Sequence, residues 1–135
     1  MRAVFADTSA WSRFYRDDIP DTDPVVDVLG NQLRGVGVVT TGVVYLELLR
    51  GFTRPNMRSA ISAHFDDVPF IEPDRDDYAA AADLSLTCRR AGVQLETVDA
   101  LIAQVCIAHD LTLLTADADF THAARHIPLD VWSPR

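Results

Sequence analysis

Apolar positions along the chain alternate between short continuous blocks and longer stretches with helical spacing. Ala3–Ala6 is one such block, ending at Asp7, and predicts a short buried strand. Thr8–Tyr15 then reads as helix. Asp23, just ahead of Pro24, is placed to cap a helix carrying Val25, Val26, Leu29 and Leu33. Gly35 and Gly37 mark a second strand, Val36–Thr40, and a helix follows over Gly42–Arg50, with a break at Gly51 and Pro55. Met57–Asp66 predicts a further helix and Val68–Ile71 a third short strand. Asp74–Ala91, rich in alanine, is the longest helical candidate, and Gly92 closes it. Val98–His109 carries one apolar stripe, made of Val98, Leu101, Ile102 and Val105. Leu111–Thr115 reads as strand, Ala118–Arg125 as a short helix and Leu129–Trp132 as a final strand.

Strands alternating with helices imply an α/β fold whose mostly parallel sheet is covered on both faces. The 135 residues hold no internal repeat, low-complexity tract or linker, so residues 1–135 are expected to form a single domain. A hydrophobic fraction of 48% against 24% charged residues suits a globular core and argues against disorder. No apolar run approaches the roughly 18 residues of a membrane span. The first apolar stretch is too short for a signal peptide and Asp7 interrupts it, so a cytoplasmic location is expected.

The net charge of −8 argues against a broad electrostatic grip on nucleic acid. It leaves room for a nuclease, because a cation bound among acids reverses their local effect. All 12 basic residues are Arg, which removes every mechanism that needs a lysine amine. Cys88 and Cys106 lie far apart in helical patterns and are expected as buried free thiols, not as a disulfide or zinc site.

The acids carry the candidate chemistry. Asp7 and Asp117 each end a strand, Asp99 opens a helix, and Glu47 interrupts the otherwise apolar VVYLELLRG on the face of Val43 and Val44. Each has an ordinary explanation taken alone. Asp7 or Asp117 can cap the next helix, Asp99 can complement a helix dipole, and Glu47 can pair with Arg50. Together they can meet at the carboxyl rim of a parallel sheet, where ligands bind. Clustered carboxylates persist when a cation sits among them, and oxygen-only donors favour Mg²⁺ or Mn²⁺ over zinc. Thr8, Ser9 and Thr115 neighbour these acids and are candidates for orienting them. His122 and His126 have metal-compatible spacing, but no third partner is evident.

In order along the chain, DTS at Asp7–Ser9, E-x-x-x-G at Glu47–Gly51, D-x-x-I-A at Asp99–Ala103 and T-x-D-x-D-F at Thr115–Phe120 resemble the PIN domain. More narrowly, the pattern is similar to VapC-type toxins of type II toxin–antitoxin systems, across essentially the whole chain. The resemblance implies a three-layer α/β/α fold and a Mg²⁺-dependent endoribonuclease acting on structured RNA, such as a tRNA or rRNA loop. It matches Asp7, Glu47, Asp99 and Asp117 to the family's acidic residues, and Asp119 to a fifth that is often present. Asp7, Asp99 and Asp117 would then ligate metal, while Glu47 would bind a second ion or orient the attacking water. Gln104 and Cys106 stand where the family often has a stretch richer in alanine.

The resemblance further implies a homodimer bound to a VapB-type antitoxin, whose tail commonly places an Arg in the acidic site. Trp11 and Trp132 fit either a core or a dimer contact. For RNA, the nearest cations in sequence are Arg13, Arg16, Arg50, Arg54 and Arg58. The rival readings are a PIN nuclease of RNA maturation or decay without an antitoxin, and an inactive RNA- or protein-binding module. A response-regulator receiver needs a lysine, and a haloacid-dehalogenase-type phosphatase needs D-x-D after the first strand. The chain has neither.

Overall fold

In the computed structural model, which describes residues 2–35 and 37–134, four strands form one sheet in the order β2-β1-β3-β4. These are β1 (Val4–Ala6), β2 (Val38–Val39), β3 (Thr112–Leu114) and β4 (Asp130–Val131). Every pairing is parallel, with Val4 opposite Val38, Ala6 opposite Leu114 and Leu113 opposite Val131. β1 and β3 are buried along their whole length. A strand covered on both faces has no polar side to alternate, which is why both read as unbroken apolar blocks. β2 lies on one side of β1, and β3 and β4 on the other. The topological switch point therefore falls between the carboxyl ends of β1 and β3, the place where open parallel sheets leave a crevice.

Seven helices accompany the strands among the described residues: α1 (Thr8–Tyr15), α2 (Pro24–Arg34), α3 (Gly42–Gly51), α4 (Pro55–Phe65), α5 (Arg75–Arg90), α6 (Thr97–Ala108) and α7 (Ala118–Ala123). Asp23 caps α2 by accepting from the N–H groups of Val25 and Val26. Asp74 and Asp77 form a reciprocal capping box on α5. At the far end of α5, Gly92 adopts φ 84, the left-handed conformation that lets the chain leave the helix.

The predicted elements differ from the observed ones mainly at edges. α4 begins at Pro55 instead of Met57, because proline at a first helical position lacks only an N–H that would have no partner anyway. α3 runs through Gly51. The strand expected over Val68–Ile71 shrinks to a single parallel bridge between Thr40 and Phe70. Pro69 accepts from Thr40 N–H at 3.0 Å but has no N–H to return, so the ladder cannot extend. Val36, expected to open the second strand, lies outside the described residues.

The core runs from the sheet into the helices on either side. Val4, Phe5, Leu113 and Leu114 are fully buried, as are Trp11 of α1 and Ala103 of α6. Trp11 sits against Phe65 of α4 at a ring separation of 4.5 Å, so it is a core residue. Trp132, just after β4, is half-buried. Cys88 and Cys106 are free and buried. No helix of the described residues is long and apolar enough to cross a membrane.

Candidate functional site

Asp7 follows β1 directly, and its N–H donates to Leu114 O at 3.1 Å, tying it to the end of β3. Extended backbone angles let its side chain turn back over the start of α1. Oδ1 accepts from the Ala10 N–H at 2.9 Å and from the Ser9 hydroxyl at 2.6 Å, and Oδ2 accepts from the Thr115 hydroxyl at 2.6 Å. The residue is only 4% exposed. Burial pushes its carboxyl pKa up; the hydrogen bonds from Ser9, Thr115 and Ala10 oppose that rise, and the charge of Asp117 adds to it.

Ser9 and Thr115 do more than contact Asp7. Ser9 Oγ accepts from Ala116 N–H and Thr115 Oγ1 from Asp117 N–H, both at 2.9 Å. Each hydroxyl has one proton, and in both cases it goes to Asp7. The pair therefore relays the position of the loop after β3 to the carboxylate after β1. Asp117 itself caps α7, accepting from Asp119 N–H at 2.9 Å. The helix-capping role open to any strand-end Asp is thus real for both Asp7 and Asp117, and it fixes their orientation at the rim.

Glu47 is held differently. The first turn of α3 lacks a cap from Thr41, and Glu72 supplies one by accepting from Gly42 N–H at 2.9 Å. A Cβ at Gly42 would lie 3.2 Å from that carboxylate oxygen, so glycine lets Glu72 approach. From the middle of α3, Glu47 Oε1 accepts the hydroxyl of Thr8 at 2.8 Å. Arg50 is exposed, and no ion pair joins it to Glu47 among the described residues. The ordinary alternative, a salt bridge to Arg50, gives way to a hydroxyl from α1, a partner that only the fold brings near.

Asp99, in the first turn of α6, is half-buried. Its carboxyl is pushed up to about 6, by burial first and then by the negative charges of Asp117, Asp7, Glu47 and Asp119. Those four acids therefore lie within electrostatic reach of Asp99, on the side of the sheet where β1 and β3 end. Asp119 is exposed. As the side chains lie, no group of three His, Cys, Asp or Glu residues among the described ones is in metal-holding geometry. The donor set is nonetheless all oxygen and mutually repulsive, which suits a hard divalent cation and not a soft one.

The predicted cations divide into two groups. Arg13 pairs with Asp23 at 2.5 Å and Arg16 with Asp18 at 2.6 Å, so both charges are largely spent within the chain. Arg58 donates to the carbonyls of Leu49 and Phe52, closing the end of α3. Arg50 and Arg54 are exposed and make no ion pair among the described residues. α7 ends at Ala123, so His126 lies beyond it; His122 and His126 nonetheless line one depression with Asp119 and Glu96, with no metal-holding group among the described residues.

The PIN domain family model matches residues 4–126 of this chain. Ribonuclease VapC11 of Mycobacterium tuberculosis is 28% identical over 127 residues, covering 90% of this chain and 92% of its own. Among solved structures, VapBC2 from Rickettsia felis, bound to a DNA fragment from its promoter, superposes with a TM-score of 0.76. The identity there is 17%, with 97% of this chain and 99% of that chain covered. VapBC-5 of Mycobacterium tuberculosis, from the VapBC family of toxin–antitoxin systems, gives 0.67 at 21% identity, covering 99% and 100%. At such identities the structures establish the fold.

Proposed function

Because the chain belongs to the PIN domain family, we propose that it is a Mg²⁺-dependent endoribonuclease, the toxin of a VapBC-type pair, neutralised by a cognate antitoxin. The observation that carries this reading is the Asp7 carboxylate, buried at the sheet's switch point and joined through the Thr115 hydroxyl to the backbone of Asp117. Ribonuclease VapC11, similar over most of its length, supports the reaction class. The VapBC-5 likeness supports the antitoxin.

Asp7, Asp99 and Asp117 are the residues that would hold Mg²⁺, with Mn²⁺ as a substitute. When bound, the ion supplies positive charge where a phosphodiester displacement develops negative charge. The chain's own residues do the rest. Ser9 and Thr115 lock the Asp7 carboxylate, so it needs no reorganisation on substrate arrival. Glu47, steadied by Thr8, orients the attacking water and accepts its proton. Asp119 supports the outer edge of the site. Of the cations near the acids in sequence, Arg50 and Arg54 make no ion pair among the described residues and serve the RNA backbone; Arg13 and Arg16 are paired with aspartates.

Acids set at the rim of a sheet between helices admit a single strand more readily than a duplex, so the substrate is a loop of a structured RNA, from tRNA or rRNA. A homodimer in the cytoplasm, bound to a VapB-type antitoxin that brings a cation to the acidic rim, completes the proposal. Expression in a bacterial host tests it. Induced alone, the protein should arrest growth, and the short product of a neighbouring reading frame should co-purify with it and restore growth. Asp7→Asn should abolish the arrest. Unimpeded growth together with RNA cleavage in vitro would replace the toxin with a PIN nuclease of RNA maturation or decay.

A further inference from the structure

Beside the acidic crevice, and sharing Thr115 and Asp117 with it as a wall, lies a depression of about 420 Å³. Its other sides include Trp132, Thr121 and Arg13. We propose that this depression is a nucleobase subsite, in which a base of the RNA strand next to the scissile phosphate stacks on the Trp132 indole. The proposal deepens the nuclease reading and rests on it for the identity of the ligand.

Trp132 is anchored without being enclosed. Its N–H donates to Leu113 O at 2.9 Å, which fixes the backbone against the end of β3, while the residue stays half-buried. An indole held from behind by packing, with area left over a cavity, is the surface on which unpaired bases stack. Asp117 lines the depression itself, so a strand whose phosphate meets Asp117 has a neighbouring base on Trp132's side of the same depression.

The polar groups around it suit a base edge better than a phosphate. Arg13 has most of its charge answered by Asp23 at 2.5 Å, yet its Nε–H is buried with no partner among the described residues. A neutralised guanidinium with an unspent donor is a poor phosphate anchor and a serviceable contact for a carbonyl or ring nitrogen. Leaving that donor unpaired is costly, and a ligand that accepts from it removes the cost. Thr121 adds an exposed hydroxyl that both donates and accepts. Aromatic face, fixed donor and adaptable hydroxyl together read an unpaired base by its plane and its edge.

The test uses the full chain in EDTA, so that no cleavage is needed, with single-stranded RNA pentamers A5, C5 and U5 as probes. Indole emission is informative because the other tryptophan, Trp11, is fully buried. Saturating A5 should quench the emission of the wild type, and Trp132→Phe should lose that quenching while binding labelled A5 within about threefold of wild type. Trp132→Ala should bind about 5- to 150-fold more weakly, the factor that one base–aromatic stack of about 1–3 kcal/mol represents. If Trp132→Ala fails to fold, quenching of wild type against Trp132→Phe still decides. Indole emission unmoved by saturating RNA, or unchanged affinity in folded Trp132→Ala, would overturn the subsite. Quenching by an arginine-bearing peptide but by no RNA would overturn it in favour of a protein tail. Quenching by RNA that the protein never cuts with Mg²⁺ would instead remove the nuclease reading and leave the subsite standing.

Discussion

The hydroxyl of Thr8, the first residue of α1, donates to the carboxylate of Glu47, in the middle of α3, at 2.8 Å. One short helix therefore orients two acids: Asp7 by donating the Ala10 N–H to it at the amino end, and Glu47 by donating the Thr8 hydroxyl across to α3. Thr8→Val keeps the side-chain volume and removes the donor. It should destabilise the fold by about 1–3 kcal/mol, the cost of leaving a partly buried carboxylate short of a hydrogen bond. Thr8→Ser should recover most of it, and Arg50→Ala should change stability by less than about 0.5 kcal/mol. Urea midpoints at unchanged slope measure all three. An Arg50→Ala loss as large as that of Thr8→Val would restore the salt bridge as Glu47's support.

The relay through Ser9 and Thr115 predicts coupling between them. Thr115→Val removes the donor to Asp7 Oδ2 and the acceptor for Asp117 N–H in one step, and should cost about 1–3 kcal/mol. Ser9→Ala removes the matching contacts to Asp7 and Ala116. Because both act on one carboxylate, the double variant should depart from additivity by at least about 0.5 kcal/mol. Strict additivity would mean that the two hydroxyls act independently.

How much of this was legible in the sequence follows from the range of each interaction. The strand-end position of Asp7 and Asp117 could be read because both central strands are buried on two faces, leaving apolar blocks with a sharp polar end. The cap at Asp23 was a local signal and held, while the helix expected from Asp74 starts one residue later, with Asp74 as its cap. What escaped was long-range. The partner of Glu47 lies 39 positions away, while Arg50, the nearer candidate by sequence, turns to solvent. Glu72 as the cap of α3, and Asp23 as the partner of Arg13, likewise depend on contacts that no local spacing encodes. The strand at Val68–Ile71 failed for a local reason, since Pro69 cannot donate to the ladder.

Asp99 makes a prediction about pH. Its carboxyl titrates at about 6 in the fold against about 3.9 for a free aspartate, so the folded state binds the proton more tightly. The stability it contributes is greatest at low pH and is lost as the pH rises through the folded value near 6. Metal-free Asp99→Asn should accordingly be more stable than wild type at pH 7, by about 1–2 kcal/mol once solvent screening of a half-buried group is allowed for. The difference should close between about pH 6 and pH 4. Melting curves of both proteins across that range decide it. A wild type more stable than Asp99→Asn at pH 7 without metal would show that the other acids do not burden Asp99.

Repulsion among the acids also predicts what a cation does. Mg²⁺ or Mn²⁺ binding only the folded protein should raise its stability, by about 2.7 kcal/mol at a hundredfold excess over Kd, and EDTA should reverse the gain. Asp99→Asn should lose most of that response while still melting cooperatively. Titration of the melting temperature against each metal reads this directly. A response equal in wild type and variant would place the bound ion elsewhere.

The central claim is that Asp7, Glu47, Asp99 and Asp117 act together to cut RNA. Its most direct test is to incubate purified wild type and Asp99→Asn with tRNA and rRNA in Mg²⁺ and to map the ends produced. The account predicts cuts at discrete internal positions in single-stranded loops by the wild type, none in EDTA, and none by an Asp99→Asn protein that melts as a folded domain. Equal cleavage by both proteins, or cleavage that survives EDTA, would contradict it.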